Sequence, residues 1–382
     1  MRWRPPGQGN PAAEAHDVRV SARLGLWLAT AFALCLATGL LSHLAQHAPW
    51  WPGRPAQLYR ITQGVHVLAG TAAVPLLLAK LWSCWPRLSA RPEPAAPRGP
   101  AAQRLGRRWG YAAERAALAV LVAGAVLTLT TGLVGRAGGA PGPFATAPTH
   151  HAVAWLTVGA LAVHLGVKLP RIRDGLATPL GRPAPERVGL SRRDVLGGAY
   201  LSATAVVLAT VGSTVPALDR VSPLARRADR GPQGLRVTRT ASAARVTRVD
   251  ARWRLTMQWP GGRHEVDLPG LAGLPQRTLR LPLTCVQGWS AHADWTGVPL
   301  VDLLAAVGAP VGRVTVGSLE PVGVHRSSVL PVERVRDRST LLALRINGSV
   351  LDLDHGYPCR IVSADRPGTG QTKWVTALRV DP

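Results

Sequence analysis

Leu281-Pro-Leu-Thr-Cys-Val-Gln-Gly-Trp-Ser290, followed by Trp295-Thr-Gly-Val-Pro299, sets Cys285 between a short apolar β-type run and a glycine-containing turn. Further along come Asp354-His-Gly-Tyr-Pro-Cys-Arg360 and Arg366-Pro-Gly-Thr-Gly-Gln-Thr-Lys-Trp-Val375. Gly368 and Gly370 in the last of these segments would let the backbone approach a neighbouring group closely.

The residues around these motifs predict a mixed α/β domain. The runs Arg252-Trp-Arg-Leu-Thr-Met-Gln-Trp259 and Arg313-Val-Thr-Val-Gly317 alternate as strands do, whereas Leu300-Val-Asp-Leu-Leu-Ala-Ala-Val307 reads as a short helix. The pattern begins near residue 236 and continues to residue 382, an ordinary length for one domain.

Together the motifs resemble the molybdopterin-binding domain of the sulfite-oxidase superfamily, in the short form without a dimerisation domain. The resemblance implies a molybdenum cofactor (molybdopterin), with the Cys285 thiolate as the metal ligand from the protein. A soft thiolate suits that metal. It also implies a set of residues that bind the cofactor, namely His355, Arg360, Gln371, Thr372 and Lys373. The alternative from the residues alone is a buried structural cysteine or a Cys285–Cys359 disulfide.

The chain departs from the family pattern at two positions that bear on activity. Sulfite oxidases follow the cysteine with a Gly-Asn-Arg-Arg type of sequence that helps to bind the oxyanion, but this chain has Gly288-Trp-Ser. It therefore looks more like the methionine-sulfoxide-reductase branch. His325 stands where a tyrosine is expected near the metal. We expect His325 either to act as a general acid in catalysis or to face solvent.

Five apolar stretches precede this domain, and each approaches or exceeds the roughly 20 residues that a membrane-spanning helix needs. The formal net charge is +24. The arginines of the chain cluster in the N-terminal tail and in alternate loops. By the positive-inside rule this distribution predicts a cytoplasmic N-terminus and an extracytoplasmic C-terminal domain. Because the charge follows this topology, we expect no nucleic-acid partner. The stretches lie near 24–43, 62–84, 114–135, 151–169 and 195–216.

We therefore predict a multi-span α-helical membrane bundle followed by the α/β cofactor domain. Ser191-Arg-Arg-Asp-Val-Leu196 precedes the fifth span and looks like a twin-arginine export motif, or else is an ordinary cytoplasmic anchor. The predicted organisation has a cytoplasmic tail (1–20), a four-helix membrane domain (21–170), a cytoplasmic loop with the fifth helix (171–217), a linker (218–235) and the oxidoreductase domain (236–382).

Histidines at the ends of two spans predict a metal site in the membrane bundle. His66 begins the second span and His150-His151 begin the fourth, at matching depth if these helices are antiparallel. Two helices of a bundle can each donate one histidine to haem iron. This region is similar to the four-helix cytochrome b family in architecture and histidine placement, which implies haem b held by His66 and either His151 or His150. The alternative is a bundle without haem.

The sequence thus predicts a membrane-bound oxidoreductase with molybdenum cofactor in the cytoplasmic membrane of a bacterium. We expect oxygen-atom transfer, with Cys285 and His325 as the catalytic residues, and electrons exchanged through haem b or the quinone pool. A small-molecule or protein sulfoxide is the expected substrate. The alternatives are a sulfite-dehydrogenase-like enzyme and a non-catalytic membrane-anchored binding module.

Overall fold

The computed structural model describes most of the chain in eight ranges, of which residues 101–111 are described by their backbone alone. Most of the predicted cytoplasmic tail and parts of the arginine-rich loops lie outside the described residues. The described ranges are 15–48, 58–89, 101–137, 146–181, 190–227, 229–323, 325–363 and 366–381.

Five long helices form the N-terminal half of the described chain. By length and composition each is able to cross a membrane, because an apolar run of this length satisfies all its backbone polar groups within the helix. This confirms the predicted series of apolar helices. The helices are α1 (Val18–His47), α2 (Leu58–Ser89), α3 (Ala101–Ala137), α4 (Thr146–Ala177) and α5 (Arg192–Val211).

The chain divides into two compact units. One comprises Met1–Ala37 and His66–Ala209, and the other comprises Thr38–Val65 and Thr210–Pro382. In the first unit α3 and α4 pack along each other. Gly124 allows close approach to Thr157, whose hydroxyl lies 3.1 Å from that of Thr128. Small residues and hydroxyl pairs of this kind commonly stabilise the contacts between helices in lipid.

The C-terminal part of the second unit alternates short helices with strands. The strands are β1 (Arg254–Trp259), β2 (Gly262–Asp267), β3 (Arg277–Thr284), β4 (Ser290–Pro299), β5 (Arg313–Ser318), β6 (Ser327–Leu330), β7 (Leu341–Ile346), β8 (Ser349–Val350), β9 (Arg360–Val362) and β10 (Val375–Asp381). The short helices are α6 (Leu268–Gly273), α7 (Leu300–Ala306) and α8 (Val332–Arg336).

Within the described residues these strands form two five-stranded sheets. The order of the first is β2-β1-β10-β5-β6, with β1 and β10 parallel and the other pairs antiparallel. The second runs β3-β4-β7-β8, and β9 also pairs with β7. The predicted fold class, apolar helices followed by a mixed α/β domain, is confirmed.

Strand β7 shows why the site residues lie where they do. Its side chains alternate between two apolar clusters, as successive residues of a strand must. Leu342 and Leu344 enter the core shared with the first sheet, whereas Leu341 and Ala343 face a second cluster. That second cluster also contains Cys285, together with the fully buried indoles of Trp289 and Trp295.

Candidate functional site

Cys285 lies in a tight hairpin loop between β3 and β4. The two strands pair up to Thr284 and Ser290, and the Cys285 N–H then donates to the Trp289 carbonyl at 2.9 Å. Gly288 closes the turn by donating to the Cys285 carbonyl at 3.0 Å, and its φ of 85° lies in the left-handed region that favours glycine. The motif therefore fixes the thiol at a hairpin tip.

The surroundings of the Cys285 thiol are apolar but positively charged. Burial raises its pKa, while contacts with Thr238 and Gln287 and the charges of Arg226 and Arg236 oppose that shift. The Thr238 hydroxyl lies 3.3 Å from the sulfur, and the Gln287 N–H points at it from 3.5 Å. These donors and cations favour a thiolate, and a coordinated metal ion would remove the thiol proton outright.

Arg360 is a fully buried cation beside this loop. Its guanidinium stacks 5.0 Å from the centre of the Trp295 ring and donates to the His355 carbonyl at 3.1 Å. Burial lowers the pKa of Arg360 to about 10. No carboxylate in the described residues pairs with it, so its charge is held in place without an acidic partner.

Lys373 adds a second buried cation to the same pocket. Its ammonium donates to the carbonyls of Arg239 at 2.9 Å and Asp354 at 2.6 Å. Burial, and then the charge of Arg360, lower its pKa to about 7. Gly356 allows this arrangement, because its φ is 107° and a Cβ there would lie 3.0 Å from that of Lys373.

The other predicted cofactor residues lie beside this pair. The buried His355 ring faces the Pro232 carbonyl at 2.7 Å through Nε2, and because a carbonyl can only accept, Nε2 carries the proton. Gln371 donates its Nε2 to the carbonyls of Ser363 and Arg366, each at 3.0 Å. The Thr372 hydroxyl lies 2.6 Å from that of Ser328.

The pocket fits an anionic, hydrogen-bonding cofactor. Several buried polar atoms in and around it have no hydrogen-bond partner among the described residues, and buried polar groups are normally satisfied. With two buried cations nearby, these orphaned donors and one acceptor match a phosphate and a ring system rich in polar atoms. The atoms are Arg360 Nε, Arg236 Nε, Trp289 Nε1, Trp295 Nε1 and Gln371 Oε1.

A segment of residues 231–246 that the motifs did not predict crosses this pocket. Pro232 contacts His355, Thr238 contacts Cys285, and the Ala241 N–H donates to Asp354 Oδ1 at 2.7 Å. Its composition resembles that of a linker and therefore does not indicate a role in the pocket. The sequence feature that could have indicated its role is the pair of arginines, Arg236 and Arg239, that flank Thr238.

His325 lies outside this set of contacts. Burial lowers its pKa, with the charge of Arg239 acting in the same direction and that of Glu320 against it. Arg239 and Glu320 form an ion pair beside it. Within the described residues, no hydrogen bond or charge interaction joins His325 to Cys285. The ring is therefore neutral at neutral pH and is not placed against the thiol.

The helices of the first unit bring together a pair of histidines. The rings of His66 and His150 have centroids 6.0 Å apart and planes at 78°. The His66 Nδ1 lies 3.0 Å from the Cys35 carbonyl, and the His150 Nδ1 lies 2.9 Å from that of Thr128. His151 instead contacts Trp155, whose indole N–H donates to its Nε2 at 3.1 Å. Of the two predicted partners of His66, the structure brings His150 to it.

The separation of these two rings is compatible with ligation of one metal by both. Imidazole nitrogens bind metals at about 2.0 Å, so two rings on opposite sides of one metal have centroids roughly 6 Å apart. Ligating histidines usually donate the other ring nitrogen to a carbonyl, as both Nδ1 atoms do here. Gly132 leaves room for the His150 ring, because a Cβ there would lie 3.2 Å from its Cε1.

Residues 243–382 match the family described as "Oxidoreductase molybdopterin binding domain". Human mitochondrial sulfite oxidase is 30% identical over 138 residues, 34% of this chain and 24% of that protein. These residues form a molybdopterin-binding oxidoreductase domain of the sulfite oxidase family. The cofactor of such a domain is the molybdenum cofactor. The predicted resemblance of this domain to that family and its predicted cofactor are confirmed.

A second relative and one solved structure are also similar to the chain. A protein of Azospira oryzae named as a protein-methionine-sulfoxide reductase subunit, YedZ1, is 30% identical over 118 residues, 31% of this chain and 44% of that protein. The sulfane dehydrogenase SoxCD of Paracoccus pantotrophus has a TM-score of 0.31 and 25% identity, over 34% of this chain and 38% of that one. The chain spans less than half the length of each of these proteins.

Proposed function

We propose that the protein is a membrane-bound molybdenum-cofactor oxidoreductase that performs two-electron oxygen-atom transfer outside the cytoplasmic membrane of a bacterium. The observation that carries the proposal is the meeting of Cys285 with Arg360 and Lys373, two buried cations that have no carboxylate partner among the described residues, in a domain of this family. When bound, the cofactor supplies the two-electron redox chemistry, and the protein supplies orientation and electrostatics.

The proposed roles of the site residues follow from their surroundings. Cys285 binds molybdenum through its thiolate, and Arg360 and Lys373 bind the anionic part of the cofactor. His355 offers Nδ1 as an acceptor to the pterin, because its Nε2 proton is engaged by Pro232. Gln371 and Thr372 belong to the segment 366–375, which is proposed to close over the cofactor. His325 is the weakest of the proposed catalytic residues, since its contacts lie with Glu320 and Arg239 instead.

We propose that haem b in the bundle exchanges electrons with the quinone pool. The ring geometry of His66 and His150 supports bis-histidine ligation. A buried lysine provides a polar position for a quinone oxygen or a lipid head group, since the Lys80 ammonium donates to the hydroxyl of Ser21 at 2.7 Å. Transfer through haem would convert two-electron chemistry into single-electron steps.

The proposed topology places residues 1–20 and 171–193 in the cytoplasm, four spans in 21–170, a fifth before residue 217, and the domain from 236 outside. The pairing of Arg192 with Asp17, at 2.8 Å, supports a common side for these two segments. The twin-arginine motif is proposed as the export signal, since that route carries domains already folded around a cofactor.

A sulfoxide is the proposed substrate, and the name of the Azospira relative supports it. Sulfite is a second candidate, supported by a specific feature of the pocket. The arginines absent after Cys285 are replaced by Arg226 and Arg236, whose charges reach the Cys285 thiol from another segment. A binding module without catalysis would be supported by a Cys285–Cys359 disulfide, but both cysteines are free thiols.

Metal analysis and a reduced-minus-oxidised optical spectrum of one detergent-purified sample test this proposal. We expect about one molybdenum per chain and a b-type haem band in the wild type. Cys285→Ser is expected to lose nearly all molybdenum and keep the haem band, while Cys359→Ser keeps both, because that thiol lies in the core and faces the Val375 carbonyl. Full molybdenum content in Cys285→Ser would contradict the assigned ligand.

A further inference from the structure

Side chains from the helical part of the second unit hold the loop that carries Cys285. Gln63 of α2 donates its Nε2 to the Val286 carbonyl at 2.5 Å. Its Oε1 in turn accepts from the Ser42 hydroxyl of α1 at 2.9 Å, in a buried pair. A buried amide with both ends engaged has one orientation, so Gln63 fixes the position of the residue next to the cysteine.

Thr214, just beyond α5, contacts the same loop from a second side. Its hydroxyl donates to the Gly288 carbonyl at 3.5 Å, and its own carbonyl accepts from Arg60 of α2 at 3.0 Å. Gly64 makes this approach possible, because a Cβ there would lie 2.1 Å from the Thr214 methyl group. The cysteine loop is thus in contact with the end of α2 through two independent sets of hydrogen bonds.

Tyr59 lies one helical turn before Gln63, on the same face of α2. It is 3% exposed, and its hydroxyl has no hydrogen-bond partner among the residues that the structure describes. It is near enough to Cys285 for the two groups to interact electrostatically. Buried hydroxyls are normally paired, so this one is set to donate to a group that binds in the pocket.

Among the tyrosines whose side chains the structure describes, no other phenol is placed in this way. Tyr357 packs against the apolar cluster around Cys285 but is only partly buried, and Tyr200 contacts Trp27 in the first unit. His325, at the position where the family resemblance leads one to expect a tyrosine, has its charge contacts with Arg239 and Glu320.

We propose that Tyr59 is a residue of the molybdenum site, where its hydroxyl donates a hydrogen bond to the oxygen of a bound substrate, and that Gln63 and Thr214 are positioning residues for the cysteine loop. This inference rests on the proposed function. It makes the end of a membrane helix part of the wall of the reaction site, so that the α/β domain alone would be incomplete.

The test compares Tyr59→Phe with Tyr200→Phe in the full-length, detergent-purified holoenzyme. Both substitutions remove one phenolic hydroxyl from a helix. We measure molybdenum content, the thiolate-to-molybdenum charge-transfer band of the oxidised protein, and kcat/KM for methionine sulfoxide with reduced benzyl viologen as electron donor. Tyr59→Phe should keep its molybdenum, shift the band and lower kcat/KM about 10- to 100-fold, the usual effect of one hydrogen bond to a reacting group. Tyr200→Phe should match the wild type in all three.

Gln63→Ala provides a second measurement that separates positioning from hydrogen bonding to substrate. It should shift the charge-transfer band through movement of Cys285, and Gln63→Glu should not restore it, because a carboxylate cannot donate to the Val286 carbonyl. A wild-type protein that holds molybdenum but does not reduce the sulfoxide would contradict the proposed substrate, whereas a shifted band in Tyr59→Phe would still support the position of Tyr59. A Tyr59→Phe protein with wild-type band and kinetics would overturn the inference.

Discussion

The pocket around Cys285 and the histidine pair in the helices are both built from buried polar side chains, but they differ in what those side chains lack. In the pocket, Arg360 and Lys373 are cations without a carboxylate partner among the described residues, and several donors there are orphaned. At the histidine pair, each Nδ1 already faces a backbone carbonyl. The pocket around Cys285 is suited to bind an anion, whereas the histidine pair holds two rings at a fixed separation.

For the proposed molybdenum and haem sites, this difference predicts different responses to the loss of the bound group. A pocket with unpaired buried cations is destabilised when empty, because the cations repel each other in a medium of low polarity. Two neutral rings with satisfied Nδ1 atoms have no comparable repulsion. Cofactor binding should therefore raise the stability of the folded pocket. At the histidine pair, metal binding should depend mainly on the separation of the two rings and add less stability.

The largest expected effect that sharpens this comparison is the loss of haem from single histidine variants. His66→Leu and His150→Leu should each lose the b-type band, because a bis-histidine site needs both rings. His151→Leu is the matched control and should keep the band, since its ring contacts Trp155. Optical spectra normalised to molybdenum content provide the measurement. A band that survives in His150→Leu and disappears in His151→Leu would reverse the assignment.

A smaller effect is the pH dependence of stability in cofactor-free protein. Lys373 has a folded pKa of about 7, below its ordinary value of 10.5, so the unfolded state binds more protons between these values. This residue therefore makes the stability of the folded state rise with pH from about 7 towards about 10. Burial raises the pKa of Cys285, which acts in the opposite direction. The informative quantity is thus the difference between variants.

Denaturant midpoints at pH 7, 8 and 9 measure this effect in wild type and in Lys373→Met, both prepared without cofactor. We expect the midpoint of the wild type to rise more steeply with pH than that of the variant. In the holoprotein the difference should shrink, because an anionic group near Lys373 raises its pKa. Parallel midpoint curves for the two cofactor-free proteins would show that Lys373 is not held as a destabilised cation.

Much of the candidate pocket around Cys285 could be assembled from the sequence because its residues sit in contiguous motifs. His355 and Arg360 share one motif and Gln371 and Lys373 another, and β-type backbone pairing brings the two together, as in the bond from the Ile361 N–H to the Thr372 carbonyl. The apolar stretches likewise predicted the five helices, since their length and composition alone meet the requirement.

Other parts depended on tertiary structure that no local pattern reveals. His150 and His151 differ by about 100° around a helix, so only the rotation of α4 decides which ring meets His66. Thr238 lies in a segment with the composition of a linker. Tyr59 precedes an apolar span, where a tyrosine is ordinary at a membrane interface. Its burial beside the cysteine loop follows from long-range packing alone.

The most direct test of the central claim follows electrons from the haem to the molybdenum site within one chain. The purified wild type is reduced with a quinol, methionine sulfoxide is added without oxygen, and the b-type haem band is recorded. We predict that the haem becomes oxidised as the sulfoxide takes up two electrons and two protons to give the sulfide and water, and that it stays reduced in Cys285→Ser. A wild-type protein with full molybdenum and haem whose reduced haem is not oxidised by the sulfoxide, and whose oxidised haem is not reduced by sulfite, would contradict the account.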